Sequence, residues 1–281
     1  MDTNCGHSQP DKAVSLDQAI KEKAVKDTLA GIKNKIFVVS GKGGVGKSSV
    51  TVNLAAALAQ KGLKVGVLDV DFHGPSIPRL LGTAATLTAN EAGKLIPVPC
   101  INNISMVSVD ALRKERDSAI IWRGPIKSGV IRQFLSDVAW GPLDVLLIDS
   151  PPGTGDEHLT VLDTIPDAAA VLVTTPQEVS LQDVRKALNF LKLAKAPILG
   201  IVENMSGLIC PHCGKTINIF RKGGGQELAI KELVPFLGAV PLDPLTVVAA
   251  DKGVPAVNLK EDSPAKTAFL AIAEKIMKKL K

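Results

Sequence analysis

The sequence predicts an α/β fold: a mostly parallel, twisted sheet with helices on both faces. Three observations carry this expectation. Apolar runs that read as strands alternate with stretches of helical periodicity. Those runs are continuously apolar, so both faces of the sheet must be covered. A glycine-rich loop stands between the first such strand and a helix, where a phosphate would be cradled. The core must be aliphatic, because aromatics make up 3% of the 281 residues and tyrosine is absent. Valine and isoleucine favour the strands, alanine and leucine the helices.

Taken in order, residues 1–14 read as a flexible polar tail and 15–281 as one P-loop domain. Residues 15–32 place Ile20, Ala24, Val25 and Leu29 at helical spacing. Residues 35–40 (KIFVVS) read as a buried strand, and 47–60 as a helix closed by Lys61-Gly62. Further strands are expected at 64–69, 104–109, 144–149, 169–175 and 197–203, with a helix at 179–194 and a short last strand at 237–240. A small cysteine-bearing insertion is expected near 205–225. In the last helix, 263–281, Phe269, Ile272, Ala273, Ile276 and Leu280 share a face, with Lys275, Lys278, Lys279 and Lys281 clustered at its end. That face suits docking on the sheet, and the terminal lysines suit the helix dipole.

Composition excludes several function classes. The net charge is +5 and the 33 basic residues are spread along the chain, whereas a nucleic-acid binder would concentrate them in a stripe. No run approaches the roughly 18 apolar residues of a membrane span. Residues 1–10 lack the basic-then-apolar layout of a secretory signal. Four cysteines are too few for a disulfide framework, and Cys210-Pro211-His212-Cys213 reads as a thiolate site in a reducing compartment. The expectation is a cytoplasmic protein that binds neither nucleic acid nor membrane.

Gly41, Lys42, Gly43, Gly44, Val45, Gly46, Lys47 and Ser48 match G-x-x-x-x-G-K-[ST] in the required strand–loop–helix setting. Glycines let backbone N–H groups close around phosphate oxygens, and the helix N-terminus adds a favourable partial charge. Lys47 supplies the cation for the outer phosphates, Ser48 a hydroxyl for Mg²⁺, and Ser49 a contact to the inner phosphate. Asp149, ending the strand LLID, is placed to hold Mg²⁺, usually through water. Of the two carboxylates in LDVDFHGPS, Asp69 is expected near the metal and Asp71 beside an attacking water; the bland alternative is that such strand-end acids are solvated or cap helices. Gly153-Thr154-Gly155 forms a run able to change shape when the γ-phosphate leaves.

A second lysine in the loop, Lys42, makes KGGVGKSS resemble the deviant Walker A ATPases, whose extra lysine reaches the partner's nucleotide across a dimer interface. Within that group, DVDFHGPSIPRLLG (69–82), IDSPPGTGDEHLT (148–160), TTPQEVSLQDVRKA (174–187) and ENMSGLICPHCG (203–214) resemble the Mrp/ApbC-like iron–sulfur cluster carriers. The similarity runs from about residue 15 to near the C-terminus. It implies that Lys42 acts in trans on ATP, that Asn204 contacts adenine, and that the loop 240–243, with Pro241 and Asp243, flanks the base. It also implies a bridging [4Fe–4S] cluster, passed from a homodimer to apo iron–sulfur proteins.

The cysteines allow an independent count. Structural zinc and a four-iron cluster each want four ligands, and Cys210 and Cys213 give one chain two. A symmetric dimer donating two from each side is the simplest route to four. Zinc in the same geometry and a redox pair remain open readings of those residues. Cys5 lies in the tail and Cys100 reads as a buried small residue. Among functions, the alternative is a positioning or partitioning switch ATPase without a cluster, using the last helix at a membrane or nucleoid surface. A nitrogenase-reductase-like electron donor fits less well, since its cluster cysteines stand singly.

Overall fold

The computed structural model describes residues 16–84, 86–112, 124–210 and 212–280; the tail 1–14, with Cys5, lies outside them. The chain opens with α1 (Leu16–Ala30), then β1 (Ile32–Ser40), α2 (Lys47–Gln60) and β2 (Val65–Asp69). A short helix α3 (Ile77–Leu80) precedes a small hairpin, β3 (Thr88–Ala89) and β4 (Leu95–Ile96). Next come β5 (Val98–Pro99), β6 (Ile104–Ser108), α4 (Gly124–Ser136), β7 (Leu143–Asp149) and α5 (Asp156–Thr164). The second half runs β8 (Ala169–Thr174), α6 (Glu178–Leu193), β9 (Ile198–Glu203), a hairpin of β10 (Leu208–Ile209) and β11 (Thr216–Ile217), α7 (Gly224–Lys231), β12 (Phe236–Ala239), α8 (Pro244–Asp251) and α9 (Pro264–Met277).

The main sheet has eight strands in the order β12-β9-β8-β1-β7-β2-β6-β5. Every pairing is parallel except that of the edge strand β5 with β6. This is the mostly parallel α/β sheet expected from the continuous apolar runs. β1 is central, flanked by β7 and β8, so the chain reverses its direction of winding beside it. In such sheets ligands bind past the carboxyl ends of strands at that reversal.

Successive residues of β1 feed opposite layers. Ile36 and Val38 join a core with Leu54 and Leu58 of α2 and with Phe269, Ile272 and Ile276 of α9. Phe37 and Val39 join a second core with Ile131 and Phe134 of α4, Val161 of α5 and Leu188 of α6. The period of two in the strand thus builds both layers.

The apolar face of α9 is consumed by this packing: Phe269, Ile272, Ala273 and Ile276 are all buried. Near its end Lys279 Nζ donates to the Leu199 carbonyl at 3.0 Å. The face on which a surface-binding role would rest is core. No helix among the described residues is long and apolar enough to cross a membrane.

Candidate nucleotide site and cysteine hairpin

The loop after β1 takes a shape that only glycines accept readily. Gly44 and Gly46 have φ of +78° and +80°, and the Gly46 carbonyl accepts the first α2 bond from Val50 at 2.9 Å. At Gly41 a Cβ would lie 2.1 Å from the carbonyl carbon of Asp183 in α6, so the loop can seat there only on a glycine. Lys42, Gly44, Lys47, Ser48, Asp71 and Pro152 line a cavity of about 370 Å³. A larger cavity of about 680 Å³ lies between α1 and α4, lined by Val25 and Val130 among others, away from these residues.

Parallel register sets the acidic groups behind the loop. β7 runs between β1 and β2, bringing Asp69 level with Asp149. Lys47 Nζ lies 2.7 Å from Asp149 Oδ2 and 4.0 Å from Asp71 Oδ2. Ser48 Oγ donates to the same Asp149 Oδ2 at 2.7 Å, and Thr51 Oγ1 donates to Oδ1 at 2.6 Å. A fully buried carboxylate is thereby held by one ammonium and two hydroxyls. Ser48 and Asp149 side by side give hard oxygen donors at the loop, a set that fits Mg²⁺. Thr51 carries no motif letter, yet it stands one helical turn beyond Lys47 on the same face, where its hydroxyl could have been anticipated.

Asp69 and Asp71 differ in kind. Asp69 is fully buried and accepts from the Asp71 N–H at 3.1 Å and from Ser108 Oγ at 2.9 Å. Burial, with the charge of Asp149 second, pushes its carboxyl up to about 8 against the lowering pull of those bonds and of Lys47. Burial beside Asp149 thus favours its protonated form. Asp71 accepts from the N–H groups of His73 and Gly74, both at 3.2 Å, which fixes its other oxygen toward Lys47.

His158, in the first turn of α5, was not singled out by its sequence. Its Nδ1 accepts from the Gly155 N–H at 3.2 Å, and the ring sits 5.6 Å from that of Phe37 and 6.2 Å from that of Phe190. Burial first, with Lys47 adding, lowers its pKa from 6.5 to about 4 although Glu157 pulls the other way. The unfolded imidazole therefore binds protons that the folded one refuses. Stability from the neutral ring is complete above about pH 6.5 and drains away as the pH falls toward 4. His158→Gln should flatten that acid loss by about 2–3 kcal/mol between about pH 7 and about pH 4.5, read from urea midpoints of both proteins.

The expected base-side residues cluster. The side-chain amide of Asn204 donates to the Val45 carbonyl of the phosphate loop at 2.9 Å. Ser206 N–H donates to Val240 O at 2.9 Å and Leu242 N–H to Gly207 O at 2.7 Å, which seats the 204–207 turn against the 240–243 loop. Pro241 is half-buried there. Asp243 caps α8 by accepting the Leu245 N–H at 2.9 Å, while its Oδ2 is buried without a hydrogen bond.

Directly after that turn stands the cysteine hairpin. Cys210 follows β10; its N–H donates to Lys215 O at 3.0 Å and its carbonyl accepts from Gly214 at 2.9 Å, closing the turn. Hydrogen bonds from the His212 N–H first, then from the Cys213 N–H and side chain, hold the Cys210 thiol below its usual range. Cys213 is exposed. Cys100 is the opposite case: burial pushes its thiol up to about 11. The buried carboxylate of Glu203 clasps both ends of the hairpin segment, accepting from Ser206 Oγ at 2.6 Å and from Gly225 N–H at 2.6 Å. Among the described residues no group of three or more His, Cys, Asp or Glu side chains could hold a metal.

A family model described as a ParA-type NUBPL iron-transfer P-loop NTPase matches residues 31–277, a span that takes in both the phosphate loop and the cysteine hairpin. The chain belongs to this iron-transfer NTPase family. Among relatives of this NUBPL-type NTPase, the iron–sulfur cluster carrier protein of Methanocaldococcus jannaschii is 48% identical over 96% of this chain and 92% of its own. The cytosolic Fe–S cluster assembly factor NUBP2 of Bos taurus is 48% identical over 89% of this chain and 94% of its own. A nucleotide-binding protein of Archaeoglobus fulgidus, solved in complex with ADP, superposes with a TM-score of 0.74 at 40% identity, covering 86% of this chain and 92% of that one. The cell-division ATPase MinD of Pyrococcus furiosus superposes with a TM-score of 0.65 at 27% identity, covering 88% and 99%. The resemblance to iron–sulfur cluster carriers holds at the level of the family. The switch ATPases stand further off in sequence while sharing the fold.

Proposed function

We propose that this NUBPL-type NTPase is a slow ATPase that carries a [4Fe–4S] cluster between two copies of itself and delivers it to apo iron–sulfur proteins in the cytoplasm. The observation that carries the reading is the Cys210 turn: a thiol held toward the thiolate by backbone N–H groups, at the surface, with Cys213 beside it. Two thiolates per chain are half of what a four-iron cluster needs, so a second chain completes the set. A cluster held at an exposed seam by few bonds is easily surrendered.

The nucleotide half supplies the switch. Gly41, Gly43, Gly44, Val45 and Gly46 offer N–H groups to phosphate oxygens, Lys47 exchanges Asp149 for the outer phosphates, and Ser49 meets the inner phosphate. Mg²⁺, held by Ser48 and Asp149, would screen the phosphate charge. Added positive charge there would draw the proton from Asp69 and make it available to the metal's surroundings. Asp71 orients the attacking water, and Lys42 reaches the nucleotide of the opposite copy. Asn204, Pro241 and Asp243 take the adenine end. Loss of the γ-phosphate relaxes the Asp71 loop and the Gly153-Thr154-Gly155 run, altering the pairing of chains and exposing the cluster.

Transfer is the direct test. Protein reconstituted anaerobically and freed of excess iron and sulfide should activate an apo [4Fe–4S] acceptor enzyme faster than the same amount of free iron and sulfide does. An acceptor that stays inactive while the donor keeps its brown colour would refute delivery.

A further inference from the structure

Lys127 is a buried cation in an unfavourable place. It lies in the first turn of α4, where the helix dipole disfavours positive charge, and its side chain is 11% exposed. Its ammonium is 2.6 Å from Glu157 Oε1, whose side chain is 13% exposed, and 3.1 Å from His73 Nε2; it also lies 5.8 Å from the centre of the Phe72 ring. An ammonium has only protons to give, so His73 accepts through Nε2 in this contact.

The two partners belong to the two loops that border the γ-phosphate end of the site. His73 N–H donates to Asp71 Oδ1. Glu157 is the second residue of α5, directly behind Gly153-Thr154-Gly155, and Gly153 N–H is itself tied to Ser40 O at the end of β1 at 3.0 Å. One residue along α4, Ser128 Oγ meets Thr160 Oγ1 at 2.8 Å, which fixes the register of α4 against α5. A nearly buried ion pair adds little net stability over an apolar pair of the same shape. Its position between two loops at the phosphate cavity gives it a different use.

We propose that Lys127 is a positioning residue for ATP hydrolysis, locking the Asp71 loop to the start of α5 so that both loops and α4 respond to the γ-phosphate as one unit. The inference rests on the ATPase reading above.

Lys127→Met should lower kcat about tenfold or more with KM for ATP changed less than about threefold, because Asp71 and the α5 loop lose their mutual alignment while the phosphate loop is untouched. Glu157→Gln should behave alike, the double variant should be no worse than either single, and Lys127→Arg should recover most of the rate. Hydrogen exchange gives a readout without turnover. In the wild type, adding Mg²⁺ and a non-hydrolysable ATP analogue should raise protection of residues 70–76, 124–136 and 150–160 together; in Lys127→Met the 70–76 loop should respond alone. Fully additive rate losses, an unchanged kcat with only a lower melting temperature, or joint protection surviving in Lys127→Met would overturn the proposal. Should Lys127→Met fail to fold, Glu157→Gln and Lys127→Arg decide the same question. A wild type that protects these segments together but never hydrolyses ATP would sink the ATPase reading and spare the coupling.

Discussion

Lys47→Ala should reduce ATP turnover by about a hundredfold to a thousandfold, the size of effect seen when one preorganised charge or donor at a developing anion is removed. The expectation comes from where the ammonium sits. Lys47 is 6% exposed at the first turn of α2, between Asp149 at 2.7 Å and Asp71 at 4.0 Å, so it is desolvated and pre-aimed at the phosphate cavity. Arginine would not restore it, because a forked guanidinium does not fit a slot shaped for a point charge. The same substitution strips the buried Asp149 of its only described cation within 4.0 Å, leaving Ser48 and Thr51 as its donors beside Asp69. A folding cost of about 3 kcal/mol should accompany the lost activity. Parallel urea titrations separate the two effects, since nucleotide affinity is read only where the variant is fully folded. Turnover within about threefold of the wild type would remove Lys47 from the chemistry.

Cys210→Ala should abolish cluster binding and leave the fold alone. Cys210 lies on a two-strand hairpin outside both cores, so its removal makes no cavity in them. What disappears is the one thiol that the turn's own N–H groups stabilise as thiolate. In a pair of chains two of four ligands go at once, and iron content after anaerobic reconstitution should fall to the level of the buffer control. The nucleotide site should still bind ATP, and the melting temperature should move by less than about 2 °C, as for a surface change away from packed groups. Retention of a full cluster by this variant would place the cargo elsewhere.

The central sheet was legible because its strands are continuously apolar, and α2 because a phosphate-loop motif and helical spacing coincide over Lys47–Gln60. The first strand begins at Ile32 and not at 35, since the polar Lys33 and Asn34 hide its start. Lys33 and Lys35 are tolerated there by partners far along the chain, Asp144 and Asp167. α4 was missed because Gly124, Pro125, Ser128 and Gly129 are poor helix formers, and packing against α1 and α5 overrides them. α8 was missed for the same reason: Pro244, Thr246, Val247 and Val248 conceal a helix that Asp243 caps.

At the site, Lys47, Ser48 and Asp149 stand out in the sequence and meet in the fold, whereas residues brought in by topology could not be read. Thr51 completes the carboxylate network only once β7 lies between β1 and β2, and Ser108 only once β6 pairs with β2. His158 owes its depressed pKa first to burial, among neighbours that include Phe37 of β1 and Phe190 of α6. Lys127 meets groups 30 and 54 residues away, a separation that leaves no local signature.

The account turns on each chain bringing half of a shared thiolate set. Iron and sulfide counts on anaerobically reconstituted protein, taken on the same sample as its native mass, test this most directly. The account predicts about four irons and four sulfides per pair of chains, with the apo protein of lower mass. A single chain carrying a complete cluster, or a pair that holds zinc alone when isolated, would contradict it.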